Sequence, residues 1–401
     1  MMAIPPFTAG APQGRRFWPF ARSLGMITGR AFGSSLGMTG CASALALIAL
    51  AALARQPGAG ATTSAQQGPR WWKGNTHTHT LWSDGDDFPE MVADWYKRNG
   101  YHFLAITDHN TVADEERWWP VSPAGLGREA YDKYRARFGK LVAERRQGDT
   151  LAVRLRRPRE YGPQFNEPGR FLLVSGEEIT QYLERRGAHM NALNLVDVIP
   201  AQQGATLVEM LRSDLEAIRA QEQGTGREIT TVLNHPNFLW SQTAEDLLAL
   251  PALRFFEVYN GHPLVNLLGD SVHASNERIW DIVLTHRFAA DGGMLYGVAT
   301  DDSHDHHRFG ADQRNAGRGW IMVRAPRLEA DSLMAAMQRG VTRRYSRDVG
   351  AMLAEVTGTS PTYALRGDEL YVRACVASSR RKANGYLPNE MEMAWTQPVR
   401  P

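Results

Sequence analysis

Beyond residue 70, the hydrophobic positions gather into short apolar runs, and most runs end in a polar cluster. Phe103 to Ile106 leads into Thr107-Asp108-His109, and Phe171 to Val174 into Ser175-Gly176-Glu177-Glu178. Ile229 to Leu233 leads into Asn234-His235-Pro236, Phe255 to Tyr259 into Asn260-Gly261, and Leu295 to Ala299 into Thr300-Asp301-Asp302-Ser303-His304. Runs this short and this apolar read as buried strands. Ala192 to Ile199 reads as another strand, opened by His189. Helical patterns lie between them: a segment from Asp86-Asp87-Phe88-Pro89-Glu90 to Asn99-Gly100, with an Asp as N-cap, then Thr206 to Gln223 and Val272 to His286. Strand, polar cluster and helix recur about seven times. That rhythm predicts a parallel sheet closed as a barrel, with its polar clusters at one edge.

Two stretches break the rhythm. Residues 111–170 form an excursion, helical from Glu129 to Arg146, basic from Arg154 to Arg159 and turn-rich from Tyr161 to Gly169, which reads as an inserted lid or rim. The basic run is a solvated face or an anion-steering patch. Residues 327–401 read as a helix, Glu329 to Arg339, and a small β-rich appendage with strands at Ala351 to Val356 and Glu369 to Ala377. The barrel itself is expected over residues 71–326.

The first seventy residues have no acidic residue. Arg15, Arg16, Arg22 and Arg30 precede the uncharged apolar run Cys41 to Ala54, which is shorter than the roughly 20 residues a bilayer span needs. Ala52-Leu53-Ala54 is a small-x-small cleavage pattern, so residues 1–54 read as a signal peptide, 55–70 as a flexible lead-in, and the protein as exported. The other reading is an uncleaved anchor, the one route to a membrane. Without that segment Cys375 is the sole cysteine, so no internal disulfide forms. Removing the four arginines turns 45 basic and 43 acidic residues into 41 and 43, and no basic stripe suggests nucleic-acid binding.

The candidate chemistry starts in Trp71 to Asn110. His77 and His79 are two apart, so on a strand both imidazoles point to one face. Asp84 follows in a Ser-Asp-Gly turn, and Asp108-His109 ends the next strand. Three imidazoles and a carboxylate at strand ends are ligand chemistry for borderline-soft divalent ions. His189, His235 and His304 reach the same edge, whereas His102, His262, His273 and His286 do not fit the scheme and read as structural. His306 and His307 read as rim residues. Asp108 and Asp301 either orient ligand histidines or cap the following helices. Arg185, Arg186, Arg314 and Arg318 are candidates for holding an anionic substrate.

H-T-H-T-L-W-S-D-G, I-T-D-H-N, G-E-E, the later His, N-H-P and D-D-S-H, in this order over roughly residues 73 to 325, resemble the PHP (polymerase and histidinol phosphatase) superfamily. K-G-N-T-H-T-H-T-L-W-S-D-G-D with an export signal looks closest to its CehA/McbA-like metallohydrolase branch. The resemblance implies a distorted (β/α)7 barrel holding two or three divalent ions (Zn, Mn or Fe). It puts His77, His79, Glu178 and Asp302 around one ion, has Glu178 bridge to a second held by His189 and His235, and gives a third to Asp84, His109 and His304. The family's G-x-E spacing selects Glu178 over Glu177. Glu178, Asp302 and His304 are then the catalytic residues, around a metal-bridging hydroxide that attacks a small-molecule ester.

Three functions compete at this stage. The first is a phosphoesterase. The second is a carboxylic ester, amide or carbamate hydrolase with the same centre. The third is a non-catalytic surface protein whose metals serve folding, a role usually met by closed four-ligand sites without a bridging acid.

Overall fold

The computed structural model describes residues 68–339, 352–358, 362–367 and 369–399. The proposed signal peptide and most of the lead-in lie outside them. Strand β1 (Arg70–Asn75) enters with Trp72 buried and lies parallel to β2 (Phe103–Ile106) through Gly74 opposite Phe103. Any side chain at position 74 would collide with the Phe103 ring, so the close approach requires glycine there. Between the strands, α1 (Pro89–Arg98) has Pro and Glu90 in its first turn and Lys97 and Arg98 in its last, matching the helix dipole. Its N-cap is Phe88 and not an aspartate. Asp86 instead accepts the His306 N–H at 2.8 Å, tying this helix start to the far end of the barrel.

The excursion builds its own layer. Strand β3 (Arg117–Pro120), helix α2 (Leu126–Phe138), strands β4 (Glu144–Gln147) and β5 (Thr150–Leu155) and helix α3 (Pro158–Phe165) follow in order, with a sheet order β3-β5-β4. The helix expected over 129–146 stops at Phe138, because Gly148 (φ 62°) turns the chain back and makes 144–147 a hairpin strand. Tyr131, Tyr134, Val153 and Leu155 pack on Trp82 and Phe88, which fixes the layer over the Asp84 turn. The basic run is largely paired: Arg154 with Glu160 at 2.7 Å and Arg159 with Asp114 at 2.6 Å.

The main correction to the expected fold lies in β6 (Leu172–Leu183) and β7 (Arg186–Leu193). They form one long hairpin, turning at Glu184 (φ 55°), where an isolated short strand and a later one at 192–199 were expected. Strand β7 therefore runs antiparallel to β6 and to β8 (Thr230–Leu233), and the sheet is mixed. Helix α4 (Leu207–Thr225), capped by the Thr206 hydroxyl and stopped by Gly226, precedes β8. The short α5 (Ala244–Leu248), β9 (Phe255–Asn260), α6 (Asn276–Ala289), β10 (Tyr296–Thr300), β11 (Ile321–Ala325) and α7 (Ala330–Gln338) complete the order. No helix of the described residues is long and apolar enough to cross a membrane.

The eight-stranded sheet runs β10-β9-β8-β7-β6-β2-β1-β11 and is nearly closed. Where β1 and β10 continue past their ends, the Asp302 N–H reaches the His77 carbonyl at 3.0 Å and the His79 N–H the Ser303 carbonyl at 2.9 Å. The seam thus closes at the edge that carries the histidines. A small hairpin, β12 (Cys375–Arg381) with β13 (Met391–Trp395), takes up the end of the strand expected at 369–377, while 352–356 form no strand and residue 351 lies outside the described residues. It rests on the barrel through Trp395 and Tyr386 against Tyr259, and through Arg373 on Asp281.

Asp301 ties β10 to the loop before β11. Its carboxylate accepts the N–H groups of Gly317 (2.9 Å), Arg318 (2.5 Å) and Gly319 (2.6 Å), together with the Tyr96 hydroxyl (2.7 Å). A Cβ on Gly319 would strike the Thr300 backbone carbonyl, which cannot swing away. Gly319→Ala should therefore lower stability by about 1–3 kcal/mol and loosen the seam, read as a lower melting temperature with reduced divalent-ion uptake.

Candidate metal centre

Each ligand candidate arrives from a different element. His77 and His79 continue β1, Asp84 sits in the turn after it, and His109 follows β2. Glu178 points inward from the middle of β6, while Glu177 takes the opposite face and accepts the Ile199 N–H at 2.6 Å. Burial pushes Glu177 up to about 8, well away from a ligand's behaviour. Because β7 runs backwards, its ligand edge is its N-terminal half, and His189 sits there opposite Thr180. His235 follows β8, and Asp302 and His304 follow β10. His235 (φ 24°) and Asp302 (φ 49°) both lie in the left-handed region, a strain held by hydrogen bonds from their own N–H groups to Glu257 and to the His77 carbonyl.

All nine expected residues converge, and Glu178 is their hub. Its carboxylate lies 2.8 Å from His109 Nδ1, 3.1 Å from His189 Nδ1, 3.3 Å from His235 Nε2, 3.4 Å from His79 Nε2 and 3.5 Å from His77 Nε2. Asp302 Oδ1 stands 3.2 Å from His77 Nε2 and 3.3 Å from His79 Nε2. Asp84 Oδ1 stands 3.2 Å from His304 Nε2 and 3.5 Å from His109 Nε2. Three sets have ligand atoms close enough to share an ion: His77, His79 and Asp302; His77, Glu178 and His235; and His79, Asp84, His109 and His304. His189 belongs to none of them and meets the centre through Glu178.

The residues fit divalent ions. His77 Nε2, His79 Nε2, His189 Nε2 and Glu178 Oε2 are sealed from solvent and make no well-directed hydrogen bond, only close ion-pair approaches such as His109 to Glu178 and His77 to Asp302, a crowding of lone pairs that a cation would relieve. Burial alone would raise Glu178, yet His109, His77 and His189 hold it well below the usual carboxylate range. His79 is pushed down to about 3 by burial and then by His304 and His109, so it is a neutral donor. Burial alone would lower His109, but Glu178, then Asp84 and Asp302, outweigh it and push it up to about 9.

Several residues that matter here carried little signal. Glu257, a lone acid inside the apolar run of β9, accepts from His77 Nδ1 at 2.7 Å, the His235 N–H at 2.8 Å, Asn260 Nδ2 at 2.7 Å and the Thr300 hydroxyl at 2.6 Å. It fixes His77 with Nε2 facing the centre. Asn234 donates to Glu178 at 2.8 Å. His262, expected to be structural, lies with its ring 5.6 Å from that of His304, pushed down to about 4 by burial above all. Asp108 orients a ligand at one remove, accepting from Ser83, whose Oγ is 3.3 Å from His79 Nδ1. Asp301 neither orients a ligand histidine nor caps a helix; it holds the loop at 317–319. Arg318 is buried on backbone carbonyls, Arg186 is paired with Asp246, and Arg314, held by Asp305 at 2.8 Å, comes within 3.8 Å of Asp84.

A cavity of about 660 Å³ opens beside the centre, lined by Asp84 and His109 and by Trp82, Thr111, Val112 and Arg117. No protein-family profile matches the chain, and no curated protein does. Among solved structures, a two-domain protein from Bacteroides vulgatus containing a predicted PHP-like metal-dependent phosphoesterase aligns at 19% identity and a TM-score of 0.36, over 67% of this chain and 63% of that one. PsfC from Pseudomonas syringae aligns at 17% identity and a TM-score of 0.34, over 66% and 87%. An amidohydrolase from Chromobacterium violaceum, with bound sulfate and no metal, aligns at 14% and 0.29, over 58% and 88%.

Two outcomes follow from the geometry. With His109 at about 9, the metal-free protein holds a proton there at neutral pH that an incoming ion must displace. Metal loading at pH 7.5 should release protons, seen as a buffer-dependent binding heat, and apparent affinity should climb with pH until about 9. Glu257→Gln, which weakens the hold on His77, should lower metal affinity about 10–100-fold while leaving the circular dichroism spectrum unchanged.

Proposed function

We propose that the protein is a metal-dependent hydrolase, and that its substrate is a phosphate ester. The observation that carries this reading is the shared carboxylate: Glu178 turns Oε1 towards His77, His189 and His235 and Oε2 towards His79 and His109. A structural site closes on one ion with four ligands and has no need of such a bridge. Divalent ions held here supply a water of lowered pKa and positive charge for the transition state. The chain's own part is to place them, to exclude bulk water from the Glu178 side and to leave the Asp84 side open. Asp84 has half its side chain exposed while Glu178 has almost none. Arg314 is held by Asp305 through Nη2 at 2.8 Å and Nε at 3.2 Å, which leaves Nη1, 3.8 Å from Asp84, to meet a phosphoryl oxygen on the open side.

A carboxylic ester, amide or carbamate is the second reading, and one feature favours it. Arg117, which lines the 660 Å³ cavity, is already bound to Glu115 at 2.6 Å, and Asp84, Asp114 and Glu115 line the same cavity, so its walls favour a neutral ester over a dianion. In either reading we take the protein to act outside the cytoplasm, on the strength of residues 1–54.

Purified protein loaded with Zn²⁺ or Mn²⁺ should turn over p-nitrophenyl phosphate faster than p-nitrophenyl acetate, and chelation should abolish turnover. The reverse preference would select the second reading. His79→Ala and Glu178→Ala should each fall to the level of metal-stripped protein with reduced metal content; full activity in both would remove the centre from the chemistry.

A further inference from the structure

His262 follows β9 in the turn Asn260-Gly261-His262. Gly261 lets that turn pass against the backbone of Asp301 and the side chain of Arg318, where a Cβ would lie 2.7 Å from the Asp301 carbonyl. Asn260 braces the turn: it donates to Glu257 at 2.7 Å and Asp302 at 3.1 Å, and accepts the His262 N–H at 2.8 Å. The imidazole is thereby hung at the Asp302–His304 side of the bowl. Its ring stands edge-on to His304, 5.6 Å between centroids at 79°, and edge-on to Phe238 at 5.8 Å.

The tautomer of this ring is fixed by its surroundings. The Leu264 N–H points at Nδ1 at 3.1 Å, and a backbone N–H can only donate. Nδ1 must accept, so the ring hydrogen sits on Nε2. Nε2 has no hydrogen-bond partner among the described residues, and unlike the Nε2 atoms of His77, His79 and His189 it is not sealed from solvent. His262 also belongs to none of the three ligand sets. A donor at the rim of a metal bowl, oriented from behind and unused by the protein, has a ligand oxygen as its natural partner.

We propose that His262 is a further catalytic residue, donating its Nε2–H to the substrate oxygen that gains negative charge as the ester bond breaks. The proposal rests on the hydrolase reading above. The histidine keeps its proton throughout: a water oxygen bonds to the attacked atom and releases one proton to solvent, the bond to the leaving oxygen breaks with its electron pair going to that oxygen, and His262 contributes a hydrogen bond that strengthens as charge develops.

The test compares His262→Phe, which keeps a ring and removes the donor, with His262→Gln, whose amide nitrogen can take the place of Nε2. On whichever p-nitrophenyl ester the wild type turns over, the Phe variant should lose about 10²-fold in kcat, with KM, metal content and melting temperature near wild type. The Gln variant should recover to within about tenfold of wild type. In ¹⁵N-labelled metal-free protein, long-range ¹H–¹⁵N spectra should show His262 as the Nε2–H tautomer, the assignment being the signal lost in His262→Phe. Wild-type kcat in the Phe variant, a Gln variant no better than Phe, loss of metal in both, or an Nδ1–H tautomer would each overturn the role of His262 alone. A wild type that turns over neither ester with metal fully loaded would instead overturn the hydrolase reading, and the catalytic role with it.

Discussion

One buried negative charge dictates much of this molecule. Glu178 is inaccessible to solvent and lies at hydrogen-bonding or ion-pair distance from five imidazoles. An unpaired carboxylate in such a place costs several kcal/mol, and the same holds for Asp302 a few ångströms away. Cations must offset that cost, and the chain provides only histidines for the purpose. Without metal, His77, His109 and His235 hold their protons more tightly than usual, the carboxylates together outweighing the opposite pull of burial. A divalent ion held by these residues would displace those protons and take over the compensation. Folding and ion binding are thus two answers to one electrostatic demand, and the strands are spaced to meet it.

A second layer of buried carboxylates keeps that geometry from relaxing. Glu257 collects donors from β1, β8, β9 and β10 at once, so it stitches four strands at the edge where their ligands emerge. Asp301 does the same for β10, α1 and the loop before β11. Neither acid faces the cavity. Both are held by directed donors, which position without adding a free charge. The left-handed backbone at His235 and Asp302 is stable because these bonds over-determine it.

Most candidate ligand residues were legible from sequence because they follow an apolar run beside a telltale neighbour: the two-residue spacing of His77 and His79, the turn at Asp84, Asp108-His109, Asn234-His235-Pro236; Glu178 and His189 lie inside strands instead. The alternation of strands and helices gave the barrel. What it concealed was direction. In β6 and β7 the residues after Glu178 remain strand-forming through Leu183, and the reversal rests on a Glu184-Arg185 turn without glycine or proline, so the antiparallel hairpin left no mark. Glu257 and His262 escaped for another reason. A single acid among Phe255, Phe256, Val258 and Tyr259 reads as an anomaly of a buried strand, and a histidine two residues past a strand reads as a loop. Only their partners, distant in the chain, give them meaning. The exchanged parts of Asp301 and Glu257 teach the same thing: an acid beside a ligand was expected to orient it, and the acid that orients His77 lies 180 residues away.

The bowl is also asymmetric, and its asymmetry constrains how a substrate meets it. The Glu178 and Glu257 side is closed by protein, whereas Asp84 is half exposed and opens on the cavity roofed by Trp82 and the inserted layer. His304 is the hinge of that open side, being within 3.2 Å of Asp84 and beside His262. On the hydrolase reading proposed above, an ester entering there would meet Asp84, His109 and His304 first, with Arg314 and the His262 Nε2–H at the same side. Charge neutralisation is thereby concentrated inside, where low dielectric makes it strongest, and hydrogen-bond selection is left to the rim, where groups can exchange with water. A fold that sealed both sides would bind its ions as firmly and do no chemistry with them.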